Sequence, residues 1–150
     1  MRALDVYQGS DGEATKALYA DLEKCGPIGV VALNLFRAQK CSARAKMYRG
    51  HRFKDAAYER KNWSMGLLCD ALMAHAAELR IRWGWEIDRS ETFAPYVLYV
   101  ELPQGQVSFH ARVRGRGPDF AGKWDGATGA SSIRIVSFCE SVLGGGVLAW

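Results

Sequence analysis

The stretch Tyr96-Val-Leu-Tyr-Val-Glu-Leu-Pro-Gln-Gly-Gln-Val-Ser-Phe-His-Ala-Arg-Val113 decides the reading of the fold. Tyr96–Leu102 reads as one strand and Gln106–Val113 as the next. Pro103-Gln104-Gly105 between them has hairpin length and turn chemistry. Val107, Phe109, Ala111 and Val113 alternate with Ser108, His110 and Arg112. A period of two sends these sets to opposite faces, so the first is expected inward and the second outward. Upstream, Ile81, Trp83, Trp85 and Ile87 alternate with Arg82, Gly84 and Glu86, which predicts a preceding strand. The three form an antiparallel meander with Tyr96–Leu102 in the middle.

N-terminal to the meander the period is helical. Residues 1–10 read as a loose arm. Asp11 is the expected cap of a first helix carrying Ala14, Leu18 and Leu22 at helical spacing. Gly26-Pro27 ends it and opens a second helix, Pro27 to Tyr48. The first half of that helix is apolar almost all round and predicts deep burial. Its second half divides into a seam of Ala38, Cys41, Ala45 and Tyr48 and a stripe of Arg37, Lys40 and Arg44. After a basic link, Gly50–Lys54, a third helix is expected from Asp55 to Leu79, with a break near Asn62. Leu68, Leu72, Ala76 and Leu79 mark its buried face. C-terminal to the meander, Arg114–Gly129 is a glycine-rich loop. A last helix follows from Ala130 to Leu143, with Ile133, Val136 and Val142 inward. Residues 144–150 are an apolar tail. The expectation is one α+β domain over 1–150: three N-terminal helices, a three-stranded antiparallel meander and a C-terminal helix.

Composition narrows the function. A chain of 150 residues with 49% hydrophobic and 24% charged residues suits one core. Its longest apolar run, Ile28–Phe36, is too short to span a bilayer, and the N-terminus lacks a signal-peptide pattern. A cytoplasmic protein without a membrane partner is expected. Cys25, Cys41, Cys69 and Cys139 are scattered and include no CxxC pair, so neither zinc nor another metal is expected. They read as small buried hydrophobes. Cys41 lies among Lys40 and Arg44, which would activate an exposed thiol, but its place on the small-residue seam predicts burial.

Charge is unevenly distributed. Arg37 to Lys61 holds nine cations against Asp55 and Glu59, a balance of +7 within a chain of net charge +4. Such asymmetry marks a surface for a polyanion. Arg37, Lys40, Arg44, Lys46, Arg49, Arg52 and Lys54 supply phosphate contacts, with Tyr48, His51 and Trp63 placed to stack. A second candidate is the outward sheet face. There Ser108, His110 and Arg112 would meet Arg82, Glu86, and Tyr99 and Glu101 or their neighbours. His110 beside a carboxylate and an arginine could serve as an acid–base centre for a phosphorylated substrate. Gly117–Lys123 matches GxxxxGK, but Trp124 stands where a P-loop needs Ser or Thr, and the sheet is antiparallel. No nucleotide or other cofactor is expected from it. Asp119 and Asp125 read as turn formers.

Four segments carry a resemblance: Arg44–Gly50, Tyr58–Ser64, Tyr96–His110 and Arg114–Gly126. Together the chain resembles a group of small uncharacterised proteins of bacteria, phages and mobile elements over about Phe36 to Phe138. The resemblance implies a mobile-element or anti-defence setting and supplies no ligand or catalytic residue. Three readings follow: a small basic binding protein for nucleic acid or a nucleotide-like polyanion; an inhibitor docking on an acidic or nucleic-acid-binding host protein; and a small hydrolase or transferase using His110, Glu86, Ser108 and Arg112.

Overall fold

The computed structural model describes residues 12–115, 124, 126 and 135–145. The order is α1 (Glu13–Glu23), α2 (Pro27–Met47), α3 (Lys54–Leu79), β1 (Trp83–Ile87), β2 (Tyr96–Leu102), β3 (Gly105–Ala111) and α4 (Ile135–Leu143). The sheet is an antiparallel meander in the order β1-β2-β3. This is the expected α+β architecture. The expected arm, most of the glycine-rich loop, Ile133 and the end of the apolar tail lie outside the described residues.

α2 and α3 run antiparallel and pack along their length, with α1 and α4 against α2 and the sheet against α3. The α1–α2 crossing is close. A Cβ on Gly29 would overlap the carbonyl of Leu22, so only glycine lets the second helix approach. Gly12, not Asp11, occupies the N-cap of α1, in extended conformation and without a side-chain cap. α3 is continuous over 26 residues, and the expected break at Asn62 is absent. The Asn62 amide oxygen accepts from the backbone N–H of Arg112 at 3.2 Å. The side chain thus serves the strand exit instead of competing for its own helix backbone.

The pairing register sets the sheet faces. Trp85, Leu98 and Phe109 align across the strands, as do Trp83, Val100 and Val107. Trp85, Leu98, Val100, Val107, Phe109 and Ala111 join Met65, Leu68, Cys69 and Leu72 of α3 in one core. The turn is two residues, Pro103-Gln104, because Gly105 already pairs with Leu102. Three inward expectations are corrected. Ile87, at the last pair of β1, is exposed, and Val113 lies past the end of β3, where the chain turns away from the sheet. On α4, Val136 is exposed while Ile135, Phe138, Cys139 and Val142 face the core.

After β3 the chain crosses to the β1 side. A Cβ on Gly115 would lie 2.5 Å from Cys69 Sγ and 2.7 Å from the Trp85 ring. The backbone N–H of Trp124 donates to the Trp85 carbonyl at 2.6 Å, which covers the outer edge of β1.

Both contacts predict overpacking. Gly29→Ala and Gly115→Ala should each lower stability by roughly 1–3 kcal/mol, read as a lower urea midpoint with an unchanged slope. A variant as stable as the parent would mean that the corresponding crossing is looser than described.

Candidate functional site

The nine cations between Arg37 and Lys61 divide into three environments. On the shaft of α2, Arg37, Lys40 and Arg44 are half-buried. Arg37 donates to Asn34 Oδ1 at 3.2 Å and lies over the rings of Tyr19 at 5.2 Å and Trp63 at 5.6 Å. The opposing helix contributes Arg60, whose guanidinium stacks 3.8 Å from the centre of Trp63. Lys40 Nζ is 3.4 Å from Thr15 Oγ1 of α1. Arg37 and Lys40 are thus attached to neighbouring helices, and Trp63 already carries two guanidiniums.

The tip of the α2–α3 hairpin differs. Lys46, Arg49 and Arg52 are exposed, with Met47 and His51 beside them. Tyr48, His51 and Phe53 form a compact aromatic cluster with centroid separations of 5.0 to 6.1 Å, and Arg52 lies 4.8 Å from the centre of Phe53. The cluster holds the link in shape, so the cations project from an ordered support. Phe93, from the β1–β2 connection, extends it. Its ring meets Tyr58 edge-on at 4.8 Å, with Lys54 Nζ at 5.5 Å and the Arg112 guanidinium at 4.7 Å. No sequence period brings Phe93 to this end of the hairpin; it arrives on an irregular connection 40 residues from Phe53.

Lys61 belongs to neither group. It is 8% exposed, 5.6 Å from the Tyr58 ring, and burial holds its ammonium down to about 8. It adds little to any surface contact with an anion.

The outward sheet face does not assemble the expected centre. Its rows are Gly84-Tyr99-Ser108 and Glu86-Val97-His110, so Tyr99 and Glu101 do lie on that face. Glu86 and His110 sit on opposite sides of Val97, about 9–10 Å apart between backbones. Burial, then a hydrogen bond and charge from Glu86, raise the Tyr99 phenol above its usual value, which commits Glu86 to Tyr99. Trp124 stacks on Tyr99 with centroids 5.2 Å apart, an addition that the glycine-rich loop gave no sign of. Arg82 pairs with Glu101 at 3.2 Å. Arg112, expected beside His110, has left the strand: it pairs with Asp55 at 3.2 Å and covers Phe93 on the helix side. Its backbone bond to Asn62 is the physical reason. His110 and Ser108 are exposed. Asp88 is held below the usual carboxylate range mainly by its bonds from Ser90, with a smaller pull from His110.

Cys69 and Cys139 are buried, and burial pushes their thiols up to about 12 and about 11. Cys25 and Cys41 are half-buried, so the expected full burial of Cys41 is corrected. Among the described residues no group of His, Cys, Asp or Glu is placed to hold a metal, and no helix is long and apolar enough to cross a membrane. No family model, curated protein or solved structure matches the chain.

Lys61 yields a pH test. Its pKa is lower folded, about 8, than unfolded, near the ordinary 10.5. Below pH 8 both states hold the proton and the folded state bears the whole burial penalty. Between these values only the unfolded state holds it, so stability rises with pH through that window. Lys61→Met should therefore stabilise the fold at pH 7, on the order of 3 kcal/mol, with a gain that shrinks towards pH 10. Denaturant titrations of both proteins at the two pH values check it, and an equal gain at both would rule the burial penalty out.

Proposed function

We propose that the protein binds nucleic acid, or a nucleotide-like polyanion, through the tip of the α2–α3 hairpin. One observation carries the reading. The eleven residues Arg44–Lys54 hold five cations and no acid, and three of the cations stand exposed around an ordered aromatic cluster. Exposed, locally uncompensated guanidinium and ammonium groups attract phosphates and release condensed counterions. His51, exposed and tilted 38° to Phe53 with centroids 5.0 Å apart, offers a surface for an unpaired base. Arg37, Lys40 and Arg44 extend the positive field along the shaft, although their contacts to Asn34, Tyr19, Trp63 and Thr15 give the first two a structural role as well.

The test is fluorescence anisotropy with labelled single- and double-stranded DNA and RNA over a salt series. Binding should weaken steeply with salt. Replacing Arg49, Arg52 and Lys54 together by Ala should flatten the log K against log salt slope by about 2 for a single strand, at about 0.7 per phosphate. His51→Ala should cost roughly 1–3 kcal/mol on single strands and little on duplex. Lys24→Ala with Arg89→Ala, exposed cations elsewhere, should leave both unchanged. Absence of binding at low salt, or binding indifferent to salt, would overturn the reading and direct attention to an acidic host protein.

A further inference from the structure

We propose that the groove between α1, α2 and α3 binds a short apolar peptide with free termini, about three residues long by the span of its two charged ends. The groove is a cavity of about 450 Å³, a size that suits a small ligand. Val30 and Leu33 of α2 and Leu67, Ala71 and Ala74 of α3 form its apolar wall. Its charged groups are sorted by sign into two ends.

The basic end is Arg37. Its contacts are to Asn34 Oδ1 and to the rings of Tyr19 and Trp63, all neutral. Among the described residues no carboxylate pairs with it, so its charge is oriented but not cancelled. Arg60 stacks on the same Trp63 ring and adds a second guanidinium at this end. The acidic end is Glu23 of α1 and Asp70 of α3, with His75 beyond them. Helix register sets the distance between the ends. Arg37 lies against Trp63, and α2 and α3 run antiparallel, so Val30 and Asp70, seven residues from that contact on each helix, are level again. Glu23 follows Leu22, whose carbonyl packs on Gly29, and belongs to the same level. Seven residues at 1.5 Å each put the two levels about 10 Å apart.

Asn34 lies between the ends and is 7% exposed. Its Nδ2 donates to the Val30 carbonyl at 2.8 Å, and its Oδ1 accepts from Arg37 at 3.2 Å. A side-chain amide has two hydrogens and two lone pairs, so one of each remains. A peptide group carries the matching acceptor and donor.

This pattern selects the occupant. A polyphosphate would meet Glu23 and Asp70 with like charge, so the groove is not part of the polyanion surface and the proposal does not rest on that reading. A single amino acid holds its two charges too close together to reach both ends. Three extended residues at about 3.3–3.6 Å each span the required length. The carboxylate then meets the Arg37 fork, the ammonium meets Glu23 and Asp70, and apolar side chains lie on Leu33 and Leu67 beside the small Ala71 and Ala74.

A two-dimensional NMR titration of the whole chain with alanyl-leucyl-alanine, in the absence of nucleic acid, tests the proposal. The free tripeptide should shift the amides of Leu33, Asn34, Leu67 and Ala71 saturably. Acetylating its amine or amidating its carboxylate should each weaken binding about tenfold, and free leucine should bind more weakly still. Two variants assign the ends. Glu23→Gln should shrink the penalty of acetylation and leave that of amidation, and Arg37→Gln should do the reverse. Glu23 is exposed, so its variant should keep the circular dichroism spectrum of the parent. No saturable shift at millimolar tripeptide, equal affinity for free and capped peptides, or an acetylation penalty that Glu23→Gln leaves unchanged overturns the proposal.

Discussion

α3 is buried on two sides, and the rest of the structure follows from that constraint. A three-stranded sheet has one inner face to cover, and a single helix must cover it while also packing along α2. The buried residues of α3 run from Ala57 and Tyr58 through Met65, Leu68 and Cys69 to Leu72 and Ala76. They occupy more than one stripe, so the helix is not simply amphipathic. Small residues make the double contact possible: Ala57 meets Ala45 of α2, while Ala71 and Ala76 let the chain close over the core. The same constraint buries Lys61, which occupies a position on the spine where no water remains to solvate it fully.

This arrangement explains which parts of the fold could be read in advance. The meander was legible because its alternation is local: Val107, Phe109 and Ala111 each report the same inner face. The hairpin α2–α3 was legible from Gly26-Pro27 and from the change of composition at Tyr48. The errors fall where a distant partner decides. Asn62 looks like a cap, but Arg112, 50 residues away, takes its carbonyl oxygen and the helix runs on. Val113 and Arg112 continue the alternation on paper, yet that same bond draws the chain off the sheet. Ile87 keeps the period of β1 but lies at the last pair, beyond the cover of α3.

The candidate site was partly legible for a related reason. Clustered charge is a property of composition and survives any fold. How each cation is engaged is a property of the fold. Arg37 stands between two aromatic rings and Lys61 lies in the core, while Lys46, Arg49 and Arg52 stand in water. Neither Phe93 nor Trp124 advertises its position, because each sits on an irregular connection. The outer sheet face shows the reverse problem. Glu86, Ser108 and His110 share it as the alternation implied, but sharing a face did not bring them together: Val97 separates two of them and is itself 2% exposed.

Two surfaces remain with unmet physical demand, and they differ in kind. At the hairpin tip the demand is electrostatic. Asp55, the acid nearest in sequence, is engaged by Arg112, while Glu101 holds Arg82 on the far side of the sheet. The tip cations carry like charge, and their mutual repulsion is screened over about 8–10 Å near physiological salt. Salt relieves that repulsion, so the condition that weakens an anion's hold also eases the free tip. At the β3 edge the demand is for hydrogen bonds, which salt barely touches. Water can meet it.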